Sequence, residues 1–167
     1  IVMIDQMGVS PELFGLYVMT VPGTFIIASF ISARLSSVLP MDYTIAIGCS
    51  AAVIGGFLQF GFSVTGNSTP ISILISVIIS NFGTGLAFAN CYAQALSMVQ
   101  PAIAGAASAL TGFFHMGWAF LVSLAIANLE NITTIHLGIS QSATALASAF
   151  AFIGLVWIIR SRPRSIV

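Results

Sequence analysis

The sequence holds two histidines, His115 and His136, and His115 sits alone in a long apolar stretch. A histidine there can relay a proton, touch a polar ligand, or hydrogen-bond to a neighbouring helix as simple packing. Asn90 and Gln94 lie four residues apart, and on a helix they share a face with Gly83, Ala87 and Ser97. That stripe could wall a polar pathway, or hold helices together by hydrogen bonds worth roughly 0.6 kcal/mol each in a membrane. Trp118 follows His115 by one helical turn and could stack on an aromatic or cationic ligand, or pack. Asn81 projects away from Asn90 and reads as packing; Gln59 and Thr20 are weaker pathway candidates. His136 reads as a solvated side chain in a loop.

Enzyme chemistry has little to work with. Paired carboxylates, a phosphate-binding glycine loop, a metal-ligand cluster and a nucleophile–base pair are all missing from the sequence pattern. The expectation is therefore a non-enzyme with no metal and no cofactor. Cys49 and Cys91 are far apart in sequence, lack metal-ligand spacing, and read as small apolar thiols. The formal net charge of zero gives no basis for nucleic-acid binding.

The elements that must position these residues follow from composition. Of 167 residues, 58% are hydrophobic and 5% charged, and the mean hydropathy is +1.09. Soluble domains carry about 25% charged residues, so this chain cannot make a polar coat, and its solvent is lipid. A spanning helix needs about 20 apolar residues. The charge-free stretch between Glu12 and Arg34 holds one such helix, that between Asp42 and Glu130 holds three, and that between Glu130 and Arg160 holds one.

Local signals place the spans at about 12–33, 42–63, 70–97, 103–128 and 138–160. Ser10-Pro11-Glu12 marks a helix start, with Ser10 as N-cap, Pro11 at the first position and Glu12 on the positive dipole end. Pro22 should kink the first span inward, where protein or water can satisfy the freed backbone. Turns are expected at 36–40, 65–70, 100–101 and 128–131. Residues 1–7 read either as the last turn of an earlier helix or as a loop. Gly48, Gly55 and Gly56 suggest close helix packing, as do Gly105, Ser108 and Gly112 on the His115 face. The fifth span reads as a lipid-facing support. The whole is expected to be one all-α membrane bundle over 1–167, with five complete spans and the end of a sixth.

Arginine sets the expected orientation. With a cytoplasmic C-terminus, Arg34, Arg160, Arg162 and Arg164 all fall inside, while Asp5, Glu12 and Glu130 fall outside. Trp157 and Tyr43 then suit inner interfacial anchors. Arg34 and Asp42 flank one inner loop and could form a charge contact remade during gating, or merely a solvated pair. Asn67-Ser68-Thr69 and Asn131-Ile132-Thr133 match the weak glycosylation pattern. The chain starts without Met and reads as a piece of a longer protein.

Three stretches carry a family resemblance: Pro101-Ala102-Ile103-Ala104-Gly105-Ala106-Ala107-Ser108-Ala109-Leu110-Thr111-Gly112, Gly8-Val9-Ser10-Pro11 with Phe14-Gly15, and Ala33-Arg34-Leu35. Together they resemble the C-terminal half of Bcr/CflA-type drug-resistance transporters of the major facilitator superfamily. The resemblance implies helices seven to twelve of a two-half bundle in a bacterial inner membrane. It implies export of drugs or small metabolites in exchange for protons, with a missing N-terminal half as partner. It also implies that the third and fourth spans line a central cavity and that the second and fifth are peripheral. His115 departs from the family, which commonly has Gln or Arg nearby. Nutrient uptake by the same fold and a non-transporting structural subunit are the other readings the sequence admits.

Overall fold

The computed structural model describes residues 3–4, 7–128 and 133–161, without the side chains of Leu155 and 157–161. Asp5, Glu130, the Asn131 glycosylation pattern, Arg162 and Arg164 lie outside the described residues, as do the side chains of Trp157 and Arg160. Five helices follow one another: α1 (Pro11–Leu35), α2 (Met41–Val64), α3 (Pro70–Ser97), α4 (Ala104–Ala127) and α5 (Thr134–Ser161). All five are long and apolar enough to cross a membrane, and no strand occurs among the described residues. The chain is an all-α, integral, multi-pass membrane protein.

Capping chemistry fixes most of the helix starts. Ser10 Oγ accepts from Leu13 N at 3.3 Å, with Pro11 and Glu12 in the first turn of α1 as expected. Just before it, Gly8 has φ +68° and its N–H donates to Ile4 O at 3.2 Å. Val9 N donates likewise to Met3 O at 3.1 Å, so Gly8 and Val9 fold back on Met3 and Ile4 in the manner of a left-handed helix cap. Thr69 and Ser72 cap α3 reciprocally: Ser72 N donates to Thr69 Oγ1 at 3.1 Å, and Thr69 N donates to Ser72 Oγ at 2.8 Å. Thr69 is thus already employed within the Asn67-Ser68-Thr69 pattern. A 3₁₀ turn over Pro101–Ile103 leads into α4.

His136 is not a loop residue. It stands in the first turn of α5, where its Nδ1 lies 2.9 Å from Thr133 Oγ1 and accepts from Thr133 N at 3.3 Å. The imidazole therefore closes an N-terminal cap. Capping extends α5 back to Thr134 from the expected start near 138.

The interior is built from small and hydroxylic side chains, and the surface from large apolar ones. Ser32, Thr44, Gln59, Ser63, Ser76, Asn90 and Ser142 are buried, whereas Met19, Phe30, Phe113, Phe114, Met116 and Phe150 are exposed. This inverts a soluble core, and it is what lipid demands: apolar packing offers little gain over lipid contact, so close approach and hydrogen bonds hold the helices. The tightest seam joins α2 to α3. A Cβ added to Gly83 would lie 2.4 Å from both Ala52 N and Gly48 O, so only glycine lets the two backbones meet there. On the other side of α2, Ser142 Oγ of α5 donates to Gly56 O at 2.8 Å.

Three expectations need correction. The second span is not peripheral: α2 packs extensively against both α3 and α5 and carries more buried residues than any other helix described. Among the described residues Gly105 and Gly112 seat no neighbour, because a Cβ at either would meet nothing within 4 Å. Nor does Pro22 turn inward. α1 continues as one α-helix through it and its ring is exposed, whereas the face that meets α3 runs through Phe25, Ala28 and Ser32.

Candidate functional site

A cavity of about 710 Å³ lies between α2, α3, α4 and α5. His115 and Trp118 of α4 line it, as does Phe88 of α3. His115 is twelve residues into the 24-residue α4, which places it about 18 Å along the helix and near the middle of a membrane. Its ring centroid is 5.2 Å from that of Phe88, with the planes tilted by 55°. No Asp, Glu, Lys or Arg lies among the described lining residues.

The hydroxyls around the cavity have already committed their protons. Thr84 donates to Ser80 O at 3.0 Å, Thr144 to Ser140 O at 2.8 Å, and Ser148 to Ala145 O at 2.8 Å. Ser80 donates at 3.4 Å to Ala52 O across the α2–α3 seam. Each offers only oxygen lone pairs to the cavity. By contrast, the ring nitrogens of His115, the indole N–H of Trp118 and the Gln141 amide have no hydrogen-bond partner among the described residues, and all three residues line the cavity. Among them the indole only donates, whereas the imidazole and the amide each carry an N–H to give and a lone pair to receive.

The two halves of the expected polar stripe go elsewhere. Asn90 is buried against α1: its Nδ2 donates to Ser32 Oγ at 2.7 Å and to Leu86 O at 3.1 Å, and its Oδ1 accepts from Ser36 Oγ at 2.6 Å. Gln94 Nε2 donates to Asp42 Oδ1 at 2.8 Å, tying the end of α3 to the start of α2. Neither lines the cavity. The contact imagined between Arg34 and Asp42 is replaced by this one, and Arg34 is exposed. Of the expected pathway residues, then, the fold brings His115 and Trp118 together and sends Asn90 and Gln94 to helix seams.

Other wall residues carried no obvious signal in the sequence. Cys49 and Cys91 both reach the cavity because α2 and α3 run antiparallel side by side. Gln141, Thr144 and Ser148 recur at three and four residues along α5, a polar stripe overlooked because the other half of that helix is bare of polar groups. That stripe makes α5 more than a lipid-facing support, although Phe150 and Ile153 beyond it are exposed as expected.

α4 is the loosest wall. None of its residues is buried, and it touches the rest of the bundle lightly, at α3. Besides the Phe88–His115 contact, the Tyr92 hydroxyl hydrogen-bonds to Ser108 Oγ. Compared with protein-family models, with curated proteins and with solved structures, the chain matches none.

Proposed function

We propose that this chain is the C-terminal part of a proton-coupled secondary transporter, moving drug-sized or metabolite-sized molecules by alternating access. The observation that carries the reading is the mid-depth cavity with His115 and Trp118 on its wall. Small-molecule sites commonly occupy 300–1,000 Å³ and are lined by apolar groups with a few polar ones. A titratable side chain at such depth is costly, which favours a working role over packing. The weak attachment of α4 suits a wall that shifts between two states.

The resemblance to drug-resistance transporters of the major facilitator superfamily supports an arrangement of two halves, with this bundle rocking against helices encoded upstream. The arginine distribution supports a cytoplasmic C-terminus, and the same resemblance supports a bacterial inner membrane and outward export.

The test is transport by the full-length protein in proteoliposomes under an imposed pH gradient. Expected is substrate movement that collapses on adding a protonophore and falls at least tenfold in His115→Ala. Equal movement with and without the gradient removes proton coupling. A His115→Ala protein that works normally from pH 5.5 to 8 removes His115 from the mechanism.

A further inference from the structure

Resting on that reading, the wall of the cavity specifies a class of ligand. We infer that it takes an uncharged, flat aromatic molecule whose polar group is a hydrogen-bond acceptor, such as a ketone, ester or amide carbonyl.

Charge comes first. The described lining holds no carboxylate, ammonium or guanidinium, so an ionic ligand would lose its hydration without gaining a counter-charge. Shape comes next. Phe88, Trp118 and Phe152 present aromatic surfaces to a space otherwise bounded by small side chains such as Gly48, Ala52 and Ala87. Aromatic walls favour a ring, which packs by offset stacking or edge-to-face contact. Polarity decides the rest. The wall hydroxyls of Thr84, Thr144 and Ser148 have given their protons to backbone carbonyls. Unpartnered N–H groups remain on Trp118 and His115 of α4 and on Gln141 of α5, and of the three the Trp118 indole can be satisfied by an acceptor alone. An acceptor on the ligand would satisfy donors that are otherwise left bare in a water-poor site.

The same chemistry exists in two sources, a soluble aromatic carbonyl compound and the ester carbonyls of a membrane lipid. Equilibrium dialysis of the full chain in lipid-free detergent micelles, against empty micelles, separates them. The probes are 2-acetonaphthone, its acceptor-free analogue 2-isopropylnaphthalene, 2-naphthoate, 2-naphthyltrimethylammonium, and dioctanoylglycerol. The ketone should bind at least tenfold tighter than each of the other four. Trp118→Phe and Gln141→Leu should each weaken ketone binding about tenfold, the cost of one lost hydrogen bond, and leave the hydrocarbon unchanged. That unchanged arm reports an intact cavity in the variants. The ketone should also slow alkylation of Cys91 by N-ethylmaleimide, which places it against α3.

Equal binding of ketone and hydrocarbon overturns the acceptor. Tighter binding of either ion overturns neutrality, and tighter binding of dioctanoylglycerol overturns the aromatic body in favour of lipid. Unaltered Cys91 alkylation with the ketone bound overturns the location. A ketone that binds as expected but is not moved by the full-length protein sinks the transport reading alone. Proton-driven movement of an ion with no ketone binding sinks this inference alone.

Discussion

The Asn90 amide nitrogen donates to Ser32 Oγ at 2.7 Å, and Ser32 Oγ donates onward to Leu86 O at 2.8 Å. With Ser36 Oγ donating to the Asn90 amide oxygen, every heteroatom of this side chain is engaged between α1 and α3. An asparagine buried with both its amide protons given and its oxygen in use has little to offer a moving solute. It is a rivet.

Asn90→Leu should therefore weaken the α1–α3 contact. It removes the acceptor and the donor that Asn90 places between the helices, while Ser36 Oγ keeps Ser32 O at 2.8 Å. Losses of this kind in membranes run from about 0.6 to 1.7 kcal/mol. Reversible unfolding in mixed micelles should show a loss of that size, with cavity-ligand affinity within twofold of the parent. A drop in affinity at unchanged stability would return Asn90 to the pathway.

Glycines divide the bundle into a tight seam and an open face. Gly83→Ala would drive a Cβ against the backbone of α2, at 2.4 Å from Ala52 N, whereas Gly112→Ala meets nothing within 4 Å. Backbone cannot rotate aside as a side chain does, so overpacking should cost the first variant at least about 1–3 kcal/mol. The second gains helix propensity and should be neutral or slightly stabilising. Comparable thermal denaturation of the two in detergent would contradict the α2–α3 register.

Which parts of this were legible in the sequence follows from what each signal depends on. Span positions depend on hydropathy and caps, both local, and Ser10, Pro11, Thr69 and Pro70 put the helix starts where expected. The mid-depth position of His115 followed from the same counting. Which face meets which helix is not local. Asn90 and Gln94 look like one stripe, yet α1 claims the first and α2 the second, because neighbours are chosen by close backbone approach at Gly83 and Gly85. The same approach brought Cys49 and Cys91 to one cavity. His136 reads as a loop residue in the sequence for a smaller reason. Its cap with Thr133 is a side-chain-to-backbone hydrogen bond from a residue type outside the usual capping pattern.

Asp42 and Gln94 offer a test of what holds the ends of α2 and α3 together. The hydrogen bond between them is 2.8 Å long and half-buried, so a double-mutant cycle on Asp42→Ala and Gln94→Leu should give a coupling of about 0.5–1 kcal/mol. The corresponding cycle on Arg34→Gln and Asp42→Asn should give none, since Arg34 is exposed and the carboxylate is turned to Gln94. A strong coupling to Arg34, screened by salt, would restore a charge contact between the two loop residues.

The hold on α4 is the last point, and it bears on how the cavity opens. The contacts that hold it to α3 include Phe88 to His115 and Tyr92 to Ser108. An aromatic pair is worth about 0.5–1.5 kcal/mol beyond simple burial, and a hydroxyl hydrogen bond about 1 kcal/mol. Removing both in Phe88→Leu with Tyr92→Phe thus subtracts about 2 kcal/mol from the contact, nearly a thirtyfold change in how often α4 is away from α3. Hydrogen exchange should then accelerate along the wall-facing turns of α4 around His115 and Trp118. The α2–α3 seam, which shares neither contact, should exchange as before. Uniform acceleration across all five helices would mean that the double variant loosens the fold as a whole, and that α4 is not a separately hinged wall.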